Sequence, residues 1–325
     1  MKIAFFGTFG VSDDIRLKNP MNMLNAKKDY EVDFGYYVQW EDHDIDTYDT
    51  FVFSRPPIEA VDIIDKIKSA GKRLIVDIDD DFFTIPVNNP AYKYLGKGNP
   101  NYLDKLVDMM GHADVLVVAS EYMKENYKQY NDNIVLIPNG WSKTNNFWGK
   151  RYRIDNKFNF GWCGTTTHRI DFRIILPVLI EYFSSRQDTR IIIGADPDIY
   201  NMLKDVPEHS KLFLPALPYS HYPLMLARFD AMLVPLVDDE FNRYKSDIKM
   251  VDSAVAGIPW IASPLPQYTG WKVGGHIAKN DATEWIKYMD LVMDNGIEYY
   301  AKESKAKGES REAEQLFPLW EQILL

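Results

Sequence analysis

A segment near residue 250 combines cationic, hydroxyl and carboxylate side chains in the pattern of a loop followed by a helix. Lys245 and Ser246 are predicted at the start of this helix, where free backbone N–H groups and the helix dipole favour an anion. Asp252 follows Lys245 by seven residues, two helical turns along the same predicted face. These residues predict a site for a diphosphate and its ribose, with Arg243 as a second cation.

A second polar loop, Gly161-Trp-Cys-Gly-Thr-Thr-Thr-His-Arg-Ile-Asp171, follows the predicted strand that opens the second half of the chain. Glycine permits close backbone approach to a phosphate, and the threonine, histidine and arginine side chains supply hydrogen-bond donors around negative charge. An ordinary strand-to-helix turn capped by threonine and aspartate would have the same composition. The candidate ligand-binding residues of this loop are Gly164, Thr165, Thr166 and His168.

The acidic string Asp77–Asp81 closes a predicted strand in the first half of the chain. Carboxylates at the carboxyl end of such a strand normally face the ligand crevice of the sheet. They could bind a divalent cation, serve an acceptor hydroxyl as base or binding group, or cap the following turn. Asp79, Asp80 and Asp81 are the candidate site residues of this string.

Both halves of the chain alternate short apolar runs with amphipathic stretches, which is typical of α/β proteins with parallel strands. Six runs in each half are predicted strands, and the polar stretch 138–157 is predicted to join two folded domains. We expect two Rossmann-like, doubly wound domains, residues 1–150 and 151–305, with a central cleft. The last helix, within 306–325, has an apolar face expected to pack back across the cleft towards the first domain.

The composition narrows the class of protein. The 325 residues are 46% hydrophobic and carry a formal net charge of −10, which argues against a surface that coats nucleic acid. A single cysteine, Cys163, excludes an intramolecular disulfide framework, and the dispersed histidines lack zinc-ligand spacing. Neither a signal peptide nor a long apolar run is evident, so a cytoplasmic protein without a transmembrane segment is expected.

The segment from Lys245 onward resembles the nucleotide-binding part of retaining glycosyltransferases with the two-domain B-type fold (GT-B), especially the family 4 group. Asp252 stands where that family has the Glu that holds the ribose, and Ala256–Pro259 and Trp260–Ala262 follow the family pattern of helix end and strand. The first Glu of the family's paired-Glu motif falls on Tyr244. The acidic pair is therefore half present.

The resemblance implies roles for three more loops. The loop Gly7–Gly10 is similar to the glycine loop that lies under the transferred sugar in these enzymes. The turn after Gly194 would border the base, although a turn rich in Asp and Pro needs no ligand to explain it. The loop Leu214–Tyr219 matches the place where the family reads the edge of the nucleobase. The resulting candidates are Gly7, Phe9 and Gly10 on the sugar side, and Gly194, Ala216 and Leu217 around the nucleobase.

The expected function is that of an enzyme, a hexosyl- or pentosyltransferase that moves a sugar from a UDP or GDP sugar to a hydroxyl acceptor, such as a glycan, a lipid-linked acceptor or a small molecule. The resemblance implies retention of configuration and no requirement for a metal or other cofactor. It therefore favours acceptor-side or structural roles over metal binding for Asp79, Asp80 and Asp81. Lys245, Arg243 and His168 are the catalytic candidates, the cations stabilising the diphosphate leaving group.

Two alternatives stay open. A non-catalytic nucleotide or sugar-phosphate binding protein would fit the missing first Glu. A phage-type glycosyltransferase acting on DNA bases would need a basic, aromatic surface, and a solvated linker is the favoured explanation of the only candidate strip. That strip contains Lys143, Trp148, Lys150, Arg151 and Arg153.

Overall fold

The computed structural model describes residues 1–8, 10–36 and 45–324, and the chain divides into two compact units. Unit 1 comprises Met1–Ser142, Tyr244–Ser246 and Arg311–Leu325, and unit 2 comprises Lys143–Arg243 and Asp247–Ser310. These bounds differ from the sequence-based ones at 150 and 305, and they move three residues of the second half into unit 1.

The first boundary differs because the predicted linker is hydrogen-bonded to unit 2 rather than free of both units. The Asn145 amide donates to the Ser220 carbonyl at 3.0 Å, and the Tyr152 backbone N–H donates to the Ala227 carbonyl at 2.7 Å. A polar composition without periodicity indicated a linker, but it could not reveal these backbone partners.

Unit 1 contains a six-stranded parallel sheet with the strand order β2-β1-β3-β4-β5-β6. The register of β3 and β4 pairs Ser54 with Asp77, so that both strands end at the same level. The strands are β1 (Lys2–Gly7), β2 (Glu31–Tyr36), β3 (Thr50–Ser54), β4 (Arg73–Ile78), β5 (Val115–Val118) and β6 (Ile134–Leu136). The helices of this part are α1 (Val11–Asp13), α2 (Asn19–Asn25), α3 (Val61–Ser69), α4 (Tyr92–Leu95), α5 (Pro100–His112) and α6 (Glu121–Asn126), with a π-helical turn at Asp14–Lys18.

Local sequence explains where these elements begin and end. All five residues of β3 are buried, as expected for a strand covered on both faces. The chain leaves α3 through Gly71, whose φ of +69° lies in the left-handed region that glycine adopts without strain. Ser120 caps α6, because its hydroxyl accepts the Met123 backbone N–H at 3.3 Å.

Unit 2 contains a second six-stranded parallel sheet, in the order β12-β11-β10-β7-β8-β9. Counted within the unit, this is the 3-2-1-4-5-6 order of the Rossmann fold, with its topological switch point between β7 and β10. The strands are β7 (Phe158–Cys163), β8 (Thr189–Ala195), β9 (Lys211–Pro215), β10 (Ala231–Val234), β11 (Trp260–Ala262) and β12 (Gly275–Ile277). The helices are α7 (Arg169–Arg173), α8 (Leu176–Ser185), α9 (Pro197–Asn201), α10 (Tyr222–Leu226), α11 (Glu240–Tyr244), α12 (Ile248–Ala256), α13 (Pro266–Thr269), α14 (Ala282–Asn295) and α15 (Ile297–Glu309).

The chain finally returns to unit 1 with α16 (Ala313–Leu324). Phe317, Trp320, Ile323 and Leu324 join the hydrophobic core beneath β1, β3 and β4 and beside α2. The apolar face of this helix thus completes the core of unit 1. No helix within the described ranges is long and apolar enough to span a lipid bilayer.

Candidate functional site

The side chains best suited to bind a ligand or take part in a reaction lie at the carboxyl ends of the strands, at the switch point of unit 2. Cys163 is the last residue of β7 and pairs in register with Gly194 of β8, so the loops after both strands start side by side. Ligands of open α/β sheets bind at such an edge. The predicted ligand-binding loop of Gly164, Thr165, Thr166 and His168, which we call the donor loop, therefore leaves the sheet at the expected place.

Four polar side chains from three elements meet beside this edge. The Lys249 ammonium lies 3.2 Å from the Tyr222 hydroxyl oxygen and 3.5 Å from the Cys163 sulfur. The Tyr222 hydroxyl donates to Asp252 Oδ2 at 2.9 Å, and Lys249 Nζ is 3.9 Å from the same oxygen. We call Cys163, Tyr222, Lys249 and Asp252 the donor cluster. Its lysine occupies the first turn of α12 and its aspartate the second.

Burial and charge set the protonation of the donor cluster. Burial raises the pKa of Asp252 to about 6, although Lys249 and the Tyr222 hydrogen bond oppose the rise. Burial acts to lower the pKa of Lys249, but attraction to Cys163 and Asp252 outweighs it and raises that pKa. Burial and the neighbouring Asp252 raise the pKa of Tyr222 well above its ordinary value. At neutral pH the cluster thus holds a cation, a carboxylate and a neutral hydroxyl.

The two oxygens of Asp252 are in different situations. Oδ2 accepts the Tyr222 hydroxyl and faces Lys249. Oδ1 accepts no hydrogen bond from any described residue and keeps some exposure to solvent. The Asp252 side chain is only 5% exposed, and that of Lys249 is 28% exposed. One carboxylate oxygen without a hydrogen bond and one partly exposed lysine side chain are therefore left for a ligand.

A second polar cluster fixes His168, a predicted catalytic residue. His168 Nδ1 lies 2.8 Å from Asp171 Oδ2, and Asp171 Oδ1 accepts the Val237 backbone N–H and the Asn242 amide, each at 2.8 Å. Asp171 is buried, with only 5% of its surface exposed. These contacts tie the donor loop to the loop after β10 and orient the histidine ring.

The other donor-loop candidates occupy one tight turn. Thr166–His168 forms a 3₁₀ helix, and the Thr165 and Thr167 hydroxyls lie 2.7 Å apart at the exposed surface. A Cβ on Gly164 would meet the Trp162 ring at 3.0 Å, so a larger residue would crowd this ring. Glycine leaves the backbone of the turn uncovered at this position.

The expectation that Lys245 and Ser246 begin the helix that carries Asp252 is wrong. Helix α11 ends at Tyr244 and α12 begins at Ile248, so Lys245 and Asp252 do not share one helix face. The intervening residues belong to unit 1 and are held there. The Ser120 hydroxyl donates to the Tyr244 carbonyl at 2.8 Å. The Asn139 amide donates to Ser246 Oγ at 2.8 Å, and Lys245 Nζ lies 3.6 Å from Asp80.

The acidic string of unit 1 divides into different environments. Asp77 is fully buried and forms a bidentate ion pair with Arg16, whose Nη1 also donates to Asn139 at 3.1 Å. Arg16 lies on the π-helical turn, and π-helical turns often occur at functional sites. The buried ion pair between Arg16 and Asp77 lies near the carboxyl end of β4 and has a structural role.

The remaining aspartates of the string also have partners in unit 1. Asp79 pairs with Arg55, a non-glycine residue with a φ of +47° immediately after β3. Burial acts to raise the pKa of Asp79, but Arg55 outweighs it and lowers that pKa. Asp81 accepts the Tyr127 hydroxyl at 2.6 Å and the Thr84 backbone N–H at 2.8 Å. Burial raises the pKa of Asp81. Among the four aspartates of the string, only Asp80, near Lys245, has an appreciably exposed side chain.

The glycine loop after β1 surrounds a carboxylate of its own chain. Asp13, which is 1% exposed, accepts the backbone N–H groups of Thr8 at 2.9 Å and Gly10 at 3.3 Å. A Cβ on Gly7 would lie 2.6 Å from this carboxylate, so glycine is required. The amides that the sequence assigned to the sugar side are thus occupied by Asp13. The candidate Phe9 lies outside the described residues.

The other predicted positions lie around the edge of the unit 2 sheet without forming one cluster. A Cβ on Gly194 would meet Met225 Sδ at 2.1 Å, so this glycine is needed for packing. Ala216 and Leu217 lie in the exposed loop after β9. Arg243 pairs with Asp238 at 2.7 Å on the surface of α11. These contacts give Gly194 and Arg243 sufficient structural explanations.

The residues of the basic, aromatic strip differ in their contacts within unit 2. Arg151 pairs with Asp230 at 2.6 Å, and the Trp148 ring lies 6.3 Å edge-on to the ring of Tyr222. Lys143, Lys150 and Arg153 are exposed. Within the described ranges, no group of three or more His, Cys, Asp and Glu side chains could hold a metal ion.

Sequence reasoning overlooked Lys249 and Tyr222, and it considered Asp171 only as a cap of the turn. Lys249 precedes Asp252 by three residues and His168 precedes Asp171 by three, the spacing at which helical side chains meet, so two of these contacts had a readable signal. Tyr222 is 30 residues from Asp252 and had none.

Comparison with solved structures identifies the fold class as the two-domain, Rossmann-like GT-B fold. Alr3699/HepE of Anabaena, in complex with UDP and glucose, matches with a TM-score of 0.69 and 13% identity over 100% of this chain and 99% of that one. A glycosyltransferase from Rickettsia africae matches with a TM-score of 0.72 and 11% identity over 99% and 97%. Sucrose-phosphate synthase from Thermosynechococcus elongatus matches with a TM-score of 0.64 and 10% identity over 100% and 96%.

The sequence itself gives no comparable match. No protein-family model and no curated protein sequence matches the chain. At identities of 10 to 13% the structural likeness establishes the fold, and the reaction has to be argued from the site.

Proposed function

We propose that the protein is a glycosyltransferase that transfers a sugar from a UDP-sugar to a hydroxyl acceptor. The observation that carries the proposal is the donor cluster, which places the Lys249 ammonium and the Asp252 carboxylate on one helix beside the end of β7. A cation next to an acceptor for hydroxyl hydrogens matches a diphosphate joined to a ribose. The UDP and glucose bound in the Anabaena structure of the same fold support UDP over GDP.

Within unit 2, Lys249 takes the role that the sequence gave to Lys245. Its ammonium neutralises the diphosphate and stabilises the charge that develops as the nucleotide leaves. Asp252 Oδ1 accepts a ribose hydroxyl, while the loop from Gly164 to Thr166 offers backbone and hydroxyl donors to the phosphates. His168, oriented by Asp171, contributes a further donor beside this loop. No metal is required for this arrangement of charges.

The acceptor role stays with unit 1, and Asp80 is the carboxylate of the acidic string that can reach a ligand, since Asp77, Asp79 and Asp81 are buried among partners. The half-present paired-acid motif of retaining enzymes supports retention of configuration. A DNA acceptor is not favoured, because Arg151 of the candidate strip is engaged by Asp230.

The first test measures donor binding. UDP-glucose is titrated by calorimetry into the wild type, Lys249→Ala and Lys305→Ala, an exposed lysine of α15 that serves as the matched control. Loss of a charge-assisted contact predicts about 10- to 100-fold weaker binding for Lys249→Ala. The control should bind like the wild type. Equal affinities in all three proteins would refute the role of the donor cluster.

Turnover separates an enzyme from a binding protein. Release of UDP from UDP-glucose, with water or a panel of sugars as acceptor, is followed by chromatography. A transferase is expected to release UDP faster in the presence of a suitable acceptor and to lose this activity in Lys249→Ala. Tight UDP-glucose binding without any UDP release would instead support the non-catalytic alternative.

A further inference from the structure

Tyr222 occupies the centre of the donor cluster although it belongs to neither α12 nor the donor loop. It is the first residue of α10 and follows the loop after β9. Its hydroxyl oxygen lies within 3.2 Å of Asp252, Lys249 and Cys163, and Lys249 Nζ is 5.4 Å from the centre of its ring. One hydroxyl thus connects the first strand of unit 2 with both charged groups of α12.

We propose that Tyr222 is a positioning residue for the donor: its hydroxyl holds Asp252 ionised and turned so that Oδ1 faces the ligand. The inference rests on the proposed function and assigns a role to a residue that would not itself touch the reacting atoms. Its basis is the asymmetry of the carboxylate, with Oδ2 held by Tyr222 and Oδ1 without a hydrogen bond from the described residues.

The direction of the hydrogen bonds follows from the chemistry of the partners. A lysine ammonium can only donate and a carboxylate can only accept, so the Tyr222 hydroxyl accepts from Lys249 and donates to Asp252. The high pKa of Tyr222 keeps this proton on its oxygen across the physiological range. The Tyr222 hydroxyl therefore links the Lys249 ammonium to the Asp252 carboxylate through two hydrogen bonds, while the ammonium itself is 3.9 Å from the carboxylate.

The charged and titratable groups that face Asp252 are Lys249 from its own helix, Tyr222 from α10 and, through Tyr222, Cys163 from β7. Lys249 and Tyr222 favour the ionised carboxylate, whereas burial disfavours it and sets the pKa at about 6. Removing the tyrosine hydroxyl deletes one of the two favourable contributions. The pKa of Asp252 should then rise, by about one unit for a typical charge-assisted hydrogen bond.

The consequence is a specific dependence of donor affinity on pH. If only ionised Asp252 accepts the ribose hydroxyl, a one-unit rise in its pKa weakens binding roughly threefold at pH 6.5 and hardly at all at pH 8.5. A purely structural role for Tyr222 would instead weaken binding by the same factor at every pH. The shape of the pH profile separates the two explanations.

The experiment compares wild type, Tyr222→Phe and Tyr200→Phe, the same chemical change in unit 2 away from the donor cluster. UDP-glucose is titrated calorimetrically between pH 5.5 and 8.5, because its diphosphate diester does not titrate in this range. The Asp252 carboxyl is followed in parallel by ¹³C NMR of aspartate-labelled protein, assigned with Asp252→Asn. We expect a raised midpoint in both measurements for Tyr222→Phe, and unchanged midpoints for Tyr200→Phe.

The possible failures can be told apart. Identical midpoints for Tyr222→Phe and the wild type, in affinity and in the NMR titration, would overturn the positioning role while leaving the proposed function intact. A wild type that binds no UDP-glucose at any pH would overturn the proposed function and this inference with it. Thermal melting of each variant shows whether weaker binding at all pH values reflects unfolding.

Discussion

At the scale of single residues, the donor cluster keeps a charge where burial opposes it. Asp252 is 95% or more shielded from solvent, yet it has to be ionised to attract a hydroxyl hydrogen. Lys249 and Tyr222 reduce this cost without removing it, since the pKa stays raised at about 6. If the donor cluster binds the donor as proposed, this arrangement sacrifices stability for ligand recognition, as sites often do.

The stability of the protein should therefore increase when this charge is removed. A carboxyl with a folded pKa near 6 and an unfolded pKa near 3.8 binds more protons in the folded state, so stability falls as pH rises between these values. The loss amounts to at most about 3 kcal/mol above pH 6. Asp252→Asn should raise the free energy of unfolding by about 1 to 3 kcal/mol at pH 7.5, and by less at pH 5.

Urea unfolding at the two pH values measures this difference, and calorimetry should show weaker UDP-glucose binding by the same variant. The surface variant Asp294→Asn in α14 serves as the matched control. A variant that is less stable than the wild type at pH 7.5 would contradict the account of Asp252.

At the scale of elements, α16 shows how a terminal helix completes a distant core. Trp320 is 3% exposed in the core of unit 1, and the guanidinium carbon of Arg16 lies 5.6 Å from the centre of its ring. Glu321 on the same helix pairs with Lys27 and accepts the Tyr30 hydroxyl at 3.2 Å. Burial of its apolar side chains and these polar contacts near α2 hold α16 in unit 1.

Truncation of the buried tryptophan should reveal this contribution. Trp320→Ala is expected to destabilise unit 1 by about 3 to 5 kcal/mol, the usual cost of removing a large aromatic side chain from a core. Leu319→Ala, at a neighbouring position that is 37% exposed, should change stability by no more than about 0.5 kcal/mol. Thermal unfolding of both variants provides the comparison, and equal effects would contradict the packing described for α16.

At the scale of the whole molecule, unit 1 is assembled from three separated segments of the chain. Its core cannot be completed before Arg311–Leu325 is available, because α16 supplies four of its buried side chains. Unit 2 has a core of its own, which includes Phe160, Phe183 and Trp285. The two cores should therefore differ in their dependence on the C-terminus.

Removal of residues 311–325 is expected to destabilise unit 1 selectively. Limited proteolysis followed by mass spectrometry should find rapid cleavage within residues 1–142, while fragments from 143–310 survive longer. The full-length chain is the control. Equal resistance of the truncated and full-length proteins throughout unit 1 would contradict the role of the C-terminal segment.

The sequence by itself determined the α/β class, the twelve strands and the position of several caps, because each depends on local patterns of apolar, glycine and serine residues. It also indicated the polar edge of the second sheet and the residue Asp252. The sequence did not reveal the break between α11 and α12. The residues at this break are held by hydrogen bonds that Ser120 donates to Tyr244 and Asn139 to Ser246, more than 100 positions away.

Only the tertiary structure showed that α11 and α12 are separate helices and that the Tyr222 hydroxyl reaches Asp252. The sequence favoured Lys245 on the assumption of one continuous helix, whereas the fold brings Lys249 and Tyr222 to the carboxylate and leaves Lys245 beside Asp80. Strand order and register bring the start of α10 and the first turn of α12 to the end of β7. The contact between Tyr222 and Asp252, 30 residues apart, arises from this packing of whole elements and no local pattern encodes it, whereas the contact between Lys249 and Asp252 follows from helical spacing.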